Sequence, residues 1–126
     1  MKILFVTAET GPFVSVGGLS QVSYFLSNAL ARAGEDVRFF TPKFGAMGQS
    51  RKKWKLAMEV EGLRVPLSNM PDKDDLICNI KSYAPKGEVK TFFLENREYY
   101  ELRANVFGYK DDHVRFMLMS KGCLEW

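Results

Sequence analysis

The chain has 126 residues, 18 of them Lys or Arg and 15 Asp or Glu, for a net charge of +3. That length builds one domain able to bury roughly two-thirds of its unfolded surface, and so mild a charge, spread along the sequence, excludes a dedicated nucleic-acid binder. Cys78 and Cys123 stand far apart with no second Cys or His beside either, so no metal-ligand spacing and no redox pair is present, and both read as reduced core thiols.

In chain order, Lys2 is followed by a short continuous apolar run, Ile3, Leu4, Phe5 and Val6. It is too short for the apolar core of a signal peptide or for a membrane span, so a cytoplasmic location with no membrane partner is expected. A run of this kind predicts a strand buried on both faces of a parallel sheet, ending near Ala8. Beyond Gly17 and Gly18 the pattern changes: Leu19, Val22, Leu26, Ala29, Leu30 and Ala33 recur at helical spacing with polar residues between them, predicting a helix from Gly18 or Leu19. The two glycines then sit at the helix start, where unpaired backbone N–H groups and the positive dipole end favour a phosphate or carboxylate, with no Cβ in the way.

Gly34 reads as the residue that closes the helix, and residues 36–41 as a second strand ended by Pro42. This is a βαβ unit. Its right-handed crossover puts the glycine corner at the carboxyl edge of the first strand, where Glu9 and Lys43 also emerge. Residues 44–54 read as a mobile loop over that edge, with Arg51, Lys52, Lys53 and Lys55 around Trp54 as the one basic cluster, either solvated or touching a ligand such as phosphate. Short strands are expected at 55–60, 63–67 and 76–83, separated by Gly62 and by the turn residues Asn69, Met70, Pro71 and Asp72. Residues 89–94 return to the β-branched and aromatic type of the main sheet, pairing beside strand one or two. A last helix runs from Asp111 or Asp112 to Trp126, with Val114, Met117, Leu118 and Leu124 at helical spacing and no stop signal. No repeat or interdomain linker interrupts the chain. The expected fold is therefore α/β: a Rossmann-like, mostly parallel doubly wound sheet with added short strands, expected to be truncated, since such a sheet normally continues from that last helix.

Several phosphate and catalytic motifs are absent. The order Gly-x-x-x-x-Gly-Lys-Ser/Thr does not occur, nor does Gly-x-Gly-x-x-Gly, and Thr41 and Pro42 stand where a dinucleotide fold ends its second strand on an acid. His113, the sole His, has no triad partner and reads as solvated beside Asp111 and Asp112.

The opening residues 1–9, then Pro12, then Val16, Gly17, Gly18 and Leu19, then Ala29 and Leu30, the run 34–38, and Pro42, Lys43 and Phe44 resemble the amino terminus of bacterial glycogen synthases and plant starch synthases. Residues 96–100 are similar to the family's segment around an aromatic acceptor-side loop. Tyr109, Asp111, Arg115 and Phe116 fall in its Tyr-x-Asp-Asn-x-x-Arg-Phe pattern, with Asp112 in place of the Asn. The resemblance implies the two-domain GT-B arrangement, of which residues 1–126 would be part of the first Rossmann-like domain, with the carboxyl-terminal GT-B domain as its missing partner.

The implied reaction is retaining transfer of glucose from a nucleotide sugar, most simply ADP-glucose, to the nonreducing end of an α-1,4-glucan, without cofactor or metal. Such transfer passes through an oxocarbenium-like sugar while negative charge gathers on the departing diphosphate, which preorganised N–H groups stabilise. The resemblance puts Ser15, Gly17 and Gly18 on the donor phosphates and Glu9, Gln21 and Tyr100 on the sugar and acceptor side; the catalytic residues are not identified in this stretch. The bland alternatives are a strand-end carboxylate for Glu9 and a half-buried surface aromatic for Tyr100. Three positions depart from the family: Ser15 replaces a Lys that contacts the diphosphate, Gln21 replaces an Asp, and Leu102 stands near an expected Arg, with Arg103 one step on. The 126 residues alone are expected to be inactive, and the alternative function is a noncatalytic carbohydrate- or nucleotide-binding module.

Overall fold

The alternation of buried apolar runs with helical stretches folds into one five-stranded sheet with a helix on each face. The computed structural model describes residues 1–49, 54–68 and 75–126. Its elements are β1 (Lys2–Val6), α1 (Gly18–Arg32), β2 (Asp36–Pro42), β3 (Ala57–Pro66), β4 (Asp75–Tyr83), β5 (Lys90–Glu95) and α2 (Asp112–Glu125), with a 3₁₀ turn at Gly45–Gln49 and a π-helical turn at Arg97–Glu101. The strand order is β1-β2-β5-β4-β3. β1, β2 and β5 run parallel, and β4 and β3 continue the sheet antiparallel. The last main-sheet strand therefore pairs beside the second. The predicted basic residues Arg51, Lys52 and Lys53 and the predicted turn at 69–72 lie outside the described residues.

α1 starts at Gly18 as its sequence period requires, but it does not bury the face that period marks. Its buried residues are Ser20, Ser23 and Ser27. Each hydroxyl donates to a carbonyl one turn back, Gly17 at 2.9 Å, Leu19 at 2.8 Å and Tyr24 at 2.9 Å, so the row goes inside without orphaned polar groups. The apolar row stays outside, with Leu19, Val22 and Leu26 all about half exposed or more. β1 behaves alike. Instead of lying buried on both faces, it is an edge strand whose Leu4 and Val6 are exposed, while Ile3 and Phe5 pack with Val37, Phe39, Val89 and Leu30. Both departures have one cause: the neighbour that would cover β1 and the apolar row of α1 is not among the described residues.

On the other face, α2 turns Arg115, Leu118 and Gly122 inward, whereas Met117 and Leu124 are exposed. Gly122 is a close approach, since a Cβ there would meet the Leu94 side chain at 2.8 Å. Trp126 lies across Phe40 and Phe92 with ring centroids 5.6 and 4.1 Å apart. The predicted break at Gly62 is instead a kink inside one long strand. Gly62 takes φ +72°, the register with β4 shifts between Met58 and Val60 and again between Val60 and Leu63, and its N–H donates to Asn79 Oδ1 at 3.0 Å. The loop expected from residue 44 is anchored at its start, where Phe44 and Met47 are buried beside the 3₁₀ turn.

The segment between β5 and α2 is tied down by one buried guanidinium. Arg115 is wholly buried; its Nε donates to Tyr99 O at 2.8 Å, and its Nη1 donates to Val106 O at 2.9 Å and to Asp112 Oδ1 at 2.7 Å. The Arg115 carbonyl accepts from the Tyr100 hydroxyl at 2.6 Å. Replacing Arg115 by Met would leave the buried Val106 carbonyl and the partly buried Tyr99 carbonyl without their donor and strip Asp112 of its ion pair, and the expected loss is about 3 kcal/mol. Arg103→Met removes the partly exposed Asp111 pair and an exposed bond to the Glu98 carbonyl, and should cost only about 1 kcal/mol. Urea unfolding of the two variants measures the difference.

Candidate functional site

After Val6 the chain leaves β1 at the carboxyl edge of the sheet and doubles back over residues 7–17 before entering α1. Thr7 N–H still reaches the Phe40 carbonyl at 3.0 Å, and the Thr7 hydroxyl donates to the Glu9 carbonyl at 3.0 Å, which turns Glu9 inward. Phe13 and Val14 N–H both donate to the Thr10 carbonyl, and Gly11 N–H donates to the Ser20 carbonyl, tying the loop to the helix it feeds. Phe13 is the apolar anchor: its ring meets Trp54, Tyr83 and Phe93 at 4.6, 5.7 and 5.0 Å.

The anion at the glycine corner is supplied by the chain itself. Glu9, only 4% exposed, accepts from Val16 N–H at 2.7 Å and Gly17 N–H at 3.0 Å through the same oxygen, Oε2. Gly18 opens the helix, and no side chain caps it. A Cβ built on Gly17 or Gly18 would meet nothing within 4 Å beyond its own stretch of chain, so the corner is open on that side. Ser15 and Ser20 hydroxyls lie 2.7 Å apart. Because Ser20 gives its proton to the Gly17 carbonyl, Ser15 is the donor of that pair.

Ser15, Ser20 and Gln21 share an open groove of about 450 Å³ with Gly11, Pro12, Tyr24 and Phe25. The structure thus brings Ser15, Gly17, Gly18 and Gln21 to one end of α1, with Glu9 beneath them. Tyr100 is elsewhere. Its ring is fully buried, its hydroxyl is used on Arg115, and burial raises its pKa, so it presents no face on which a glucan ring could stack. Among the described residues, no cluster of three His, Cys, Asp or Glu is placed to hold a metal, and no helix is long and apolar enough to cross a membrane. Cys78 and Cys123 are free thiols, and burial pushes Cys78 up to about 11.

Comparison with known proteins places this geometry. The model of the starch synthase catalytic domain matches residues 2–126. The chain belongs to that family. Glycogen synthases of Bacillus subtilis and Clostridioides difficile are 35% and 33% identical to it over 125 and 128 residues, covering 99% of this chain but 24% and 25% of theirs. The catalytic domain of starch synthase IV from Arabidopsis thaliana, bound to ADP and acarbose, has the same fold with a TM-score of 0.82 at 24% identity, over 98% of this chain and 24% of that one. The chain therefore spans about a quarter of the length of these relatives.

In this member of the starch synthase family the same sheet edge carries a second polar centre that no sequence motif announced. Lys43 follows β2, Glu95 ends β5, Asn79 and Lys81 lie on β4, and Glu101 closes the π-helical turn; they line a hollow of about 380 Å³ with Asn96 and Arg97. Glu95 accepts from Asn79 at 3.0 Å, Lys43 at 2.8 Å and Lys81 at 2.6 Å, and Lys43 also lies 3.4 Å from Glu101. Burial by itself would raise Glu95, but the hydrogen bonds from Asn79, Lys43 and Lys81 outweigh it and hold the carboxyl at about 2. Burial likewise works against the Lys43 ammonium, and Glu95 and Glu101 together keep its pKa above the ordinary lysine value.

Because the folded-state pKa of Glu95 is depressed, its contribution to stability is present above the unfolded value and is lost as pH falls from about 4.5 towards about 2. Glu95→Gln should therefore lower stability at neutral pH and flatten the stability profile across that window. Urea midpoints of both proteins between those pH values measure it.

Proposed function

We propose that this chain is the amino-terminal part of a retaining glucosyltransferase that moves glucose from ADP-glucose to the nonreducing end of an α-1,4-glucan in the cytoplasm, and that the activity belongs to a longer polypeptide. Membership of the starch synthase catalytic domain family supports the reaction class. The ADP and acarbose bound to the Arabidopsis neighbour support an adenine donor and a glucan-like acceptor. The observation that carries the reading is the open start of α1 beside the groove of Ser15 and Gln21.

Glu9 decides which amides serve the donor. With Val16 and Gly17 N–H engaged by its carboxylate, the next amides, those of Gly18 and Leu19, are the ones to receive the diphosphate as charge gathers on it. Glu9 then acts from beneath the corner, fixing the loop and lending its remaining oxygen to a sugar hydroxyl, while Gln21 meets the acceptor side from the groove. Tyr100 serves the site by anchoring the turn that follows β5. A quarter of the fold cannot close a cleft around a donor, so the 126-residue polypeptide transfers no glucose.

One observation favours a second reading, a noncatalytic carbohydrate- or nucleotide-binding module: among the described residues, no Lys or Arg lines the groove where Ser15 stands. The test joins residues 1–126 to the segment that completes the fold in the Bacillus subtilis relative and measures transfer from ADP-glucose and UDP-glucose to a glucan. Activity of the fusion and none from the 126 residues is expected. Ser15→Lys in the fusion should lower the donor KM by roughly tenfold at low salt, and less at high salt, as a regained charged hydrogen bond to diphosphate requires. A correctly folded but inactive fusion, with a KM for neither donor, would favour the module.

A further inference from the structure

The hollow beside β4 and β5 holds more hydrogen-bond donors than its own acceptors use. Both oxygens of Glu95 are engaged, Oε1 by Asn79 and Oε2 by Lys43 and Lys81 together. The amide oxygens are engaged as well: Asn79 Oδ1 accepts from Gly62 N–H, and Asn96 Oδ1 accepts from Tyr99 N–H. The cations are not used up. Of the three N–H groups on each ammonium, Lys81 gives one to Glu95, while Lys43 gives one to Glu95 and faces Glu101 with another. Arg97 lines the same hollow and is exposed, and among the described residues its guanidinium has no hydrogen-bond or ion-pair partner. Three cations against two carboxylates leave the hollow net positive.

The fold gathers these donors. Lys43 follows β2 and Lys81 lies on β4, yet both touch one Glu95 oxygen, at 2.8 and 2.6 Å, so two ammonium groups are held side by side. Their side chains are only 23% and 25% exposed, which spares their charges much of the screening an open surface gives. Leftover donors on groups that stay charged at neutral pH suit a ligand that offers oxygens and negative charge. Glu101 narrows the choice of anion. Its Oε2 lies 3.4 Å from Lys43, and its other oxygen has no partner among the described residues. Such a carboxylate repels an anion that carries no proton, such as sulfate, and accepts a hydrogen bond from one that keeps an O–H, such as monohydrogen phosphate.

We propose that this hollow binds inorganic phosphate in its monohydrogen form. Arg97 and the unused N–H groups of Lys81 and Lys43 donate to its oxygens, and Glu101 accepts from its hydroxyl. The site is independent of the glucosyltransferase reading, since the hollow shares no lining residue with the groove beside α1.

Titration of the isotope-labelled protein with inorganic phosphate, from about 0.1 to 20 mM at low salt and about pH 7.5, tests it through amide chemical shifts. Saturating shifts are expected at Asn79, Lys81, Arg97 and Glu101, with sulfate and glycerol phosphate binding at least about tenfold more weakly. Arg97→Gln alters an exposed side chain and should weaken phosphate binding at least about tenfold, and Glu101→Gln should abolish the preference over sulfate. Arg38→Gln removes the same charge from within β2 and should leave binding unchanged, which separates the site from a general loss of positive charge. Retained amide dispersion shows that each variant is folded. The absence of saturable shifts around the hollow would overturn the proposal, as would shifts confined to Gly18 and Leu19 at the start of α1. So would an Arg97→Gln protein that binds phosphate as tightly as its parent, or sulfate or glycerol phosphate binding as tightly as phosphate.

Discussion

A carboxylate that is almost wholly buried must find donors, and Glu9 finds them in the backbone of Val16 and Gly17. That one contact fixes the corner on which the rest of the candidate site depends. It closes the loop from β1 to α1 upon itself, sets the direction in which the helix starts, and uses the first two amides that would otherwise meet a ligand. What remains for a bound diphosphate is the next turn of the helix, with open space before Gly17 and Gly18 and the hydroxyls of Ser15 and Ser20 beside it. The corner is thus built from inside by a negative charge, and it leaves room for a second one only further along the helix.

Around this corner, loops hold the chemistry and the sheet holds the loops. Three strand ends, after β1, β2 and β5, deliver Glu9, Lys43 and Glu95 to one edge, as the parallel arrangement requires. Glu95 then gathers Lys43, Lys81 and Asn79 from two other strands, and the buried Arg115 fastens the segment beyond β5 by its backbone carbonyls. Gly45 belongs to the same fastening. A Cβ there would come within 2.3 Å of the Glu101 carbonyl, so the turn after β2 and the turn after β5 pack backbone to backbone.

The mismatch between pattern and burial in α1 carries information about assembly. A helix buries its apolar stripe when a neighbour is present to receive it, and here the stripe projects past an unpaired strand while a serine row meets the sheet. Relatives in the starch synthase family are four times as long. The stripe is a surface that the described residues leave uncovered.

The sequence by itself determined the local order of this protein. Apolar runs and helical spacing located β1, α1, β2, β5 and α2 to within a residue or two, Gly34 closed α1 at φ +95°, and the motif around Gly17 and Gly18 disclosed the family. These are short-range signals, since strand, helix and turn preferences act between residues a few positions apart. Tertiary structure alone decided the rest. Periodicity told which residues of α1 share a face, but it could not tell that Ser20, Ser23 and Ser27 would be the face turned inward. Spacing could not bring Glu95 to Lys43 and Lys81, nor Tyr100 under Arg115, nor Glu9 to the amides of Val16 and Gly17. Each of those contacts joins segments whose meeting depends on how the sheet is ordered and where it ends, and burial is a property of the neighbours a residue acquires when the chain closes on itself.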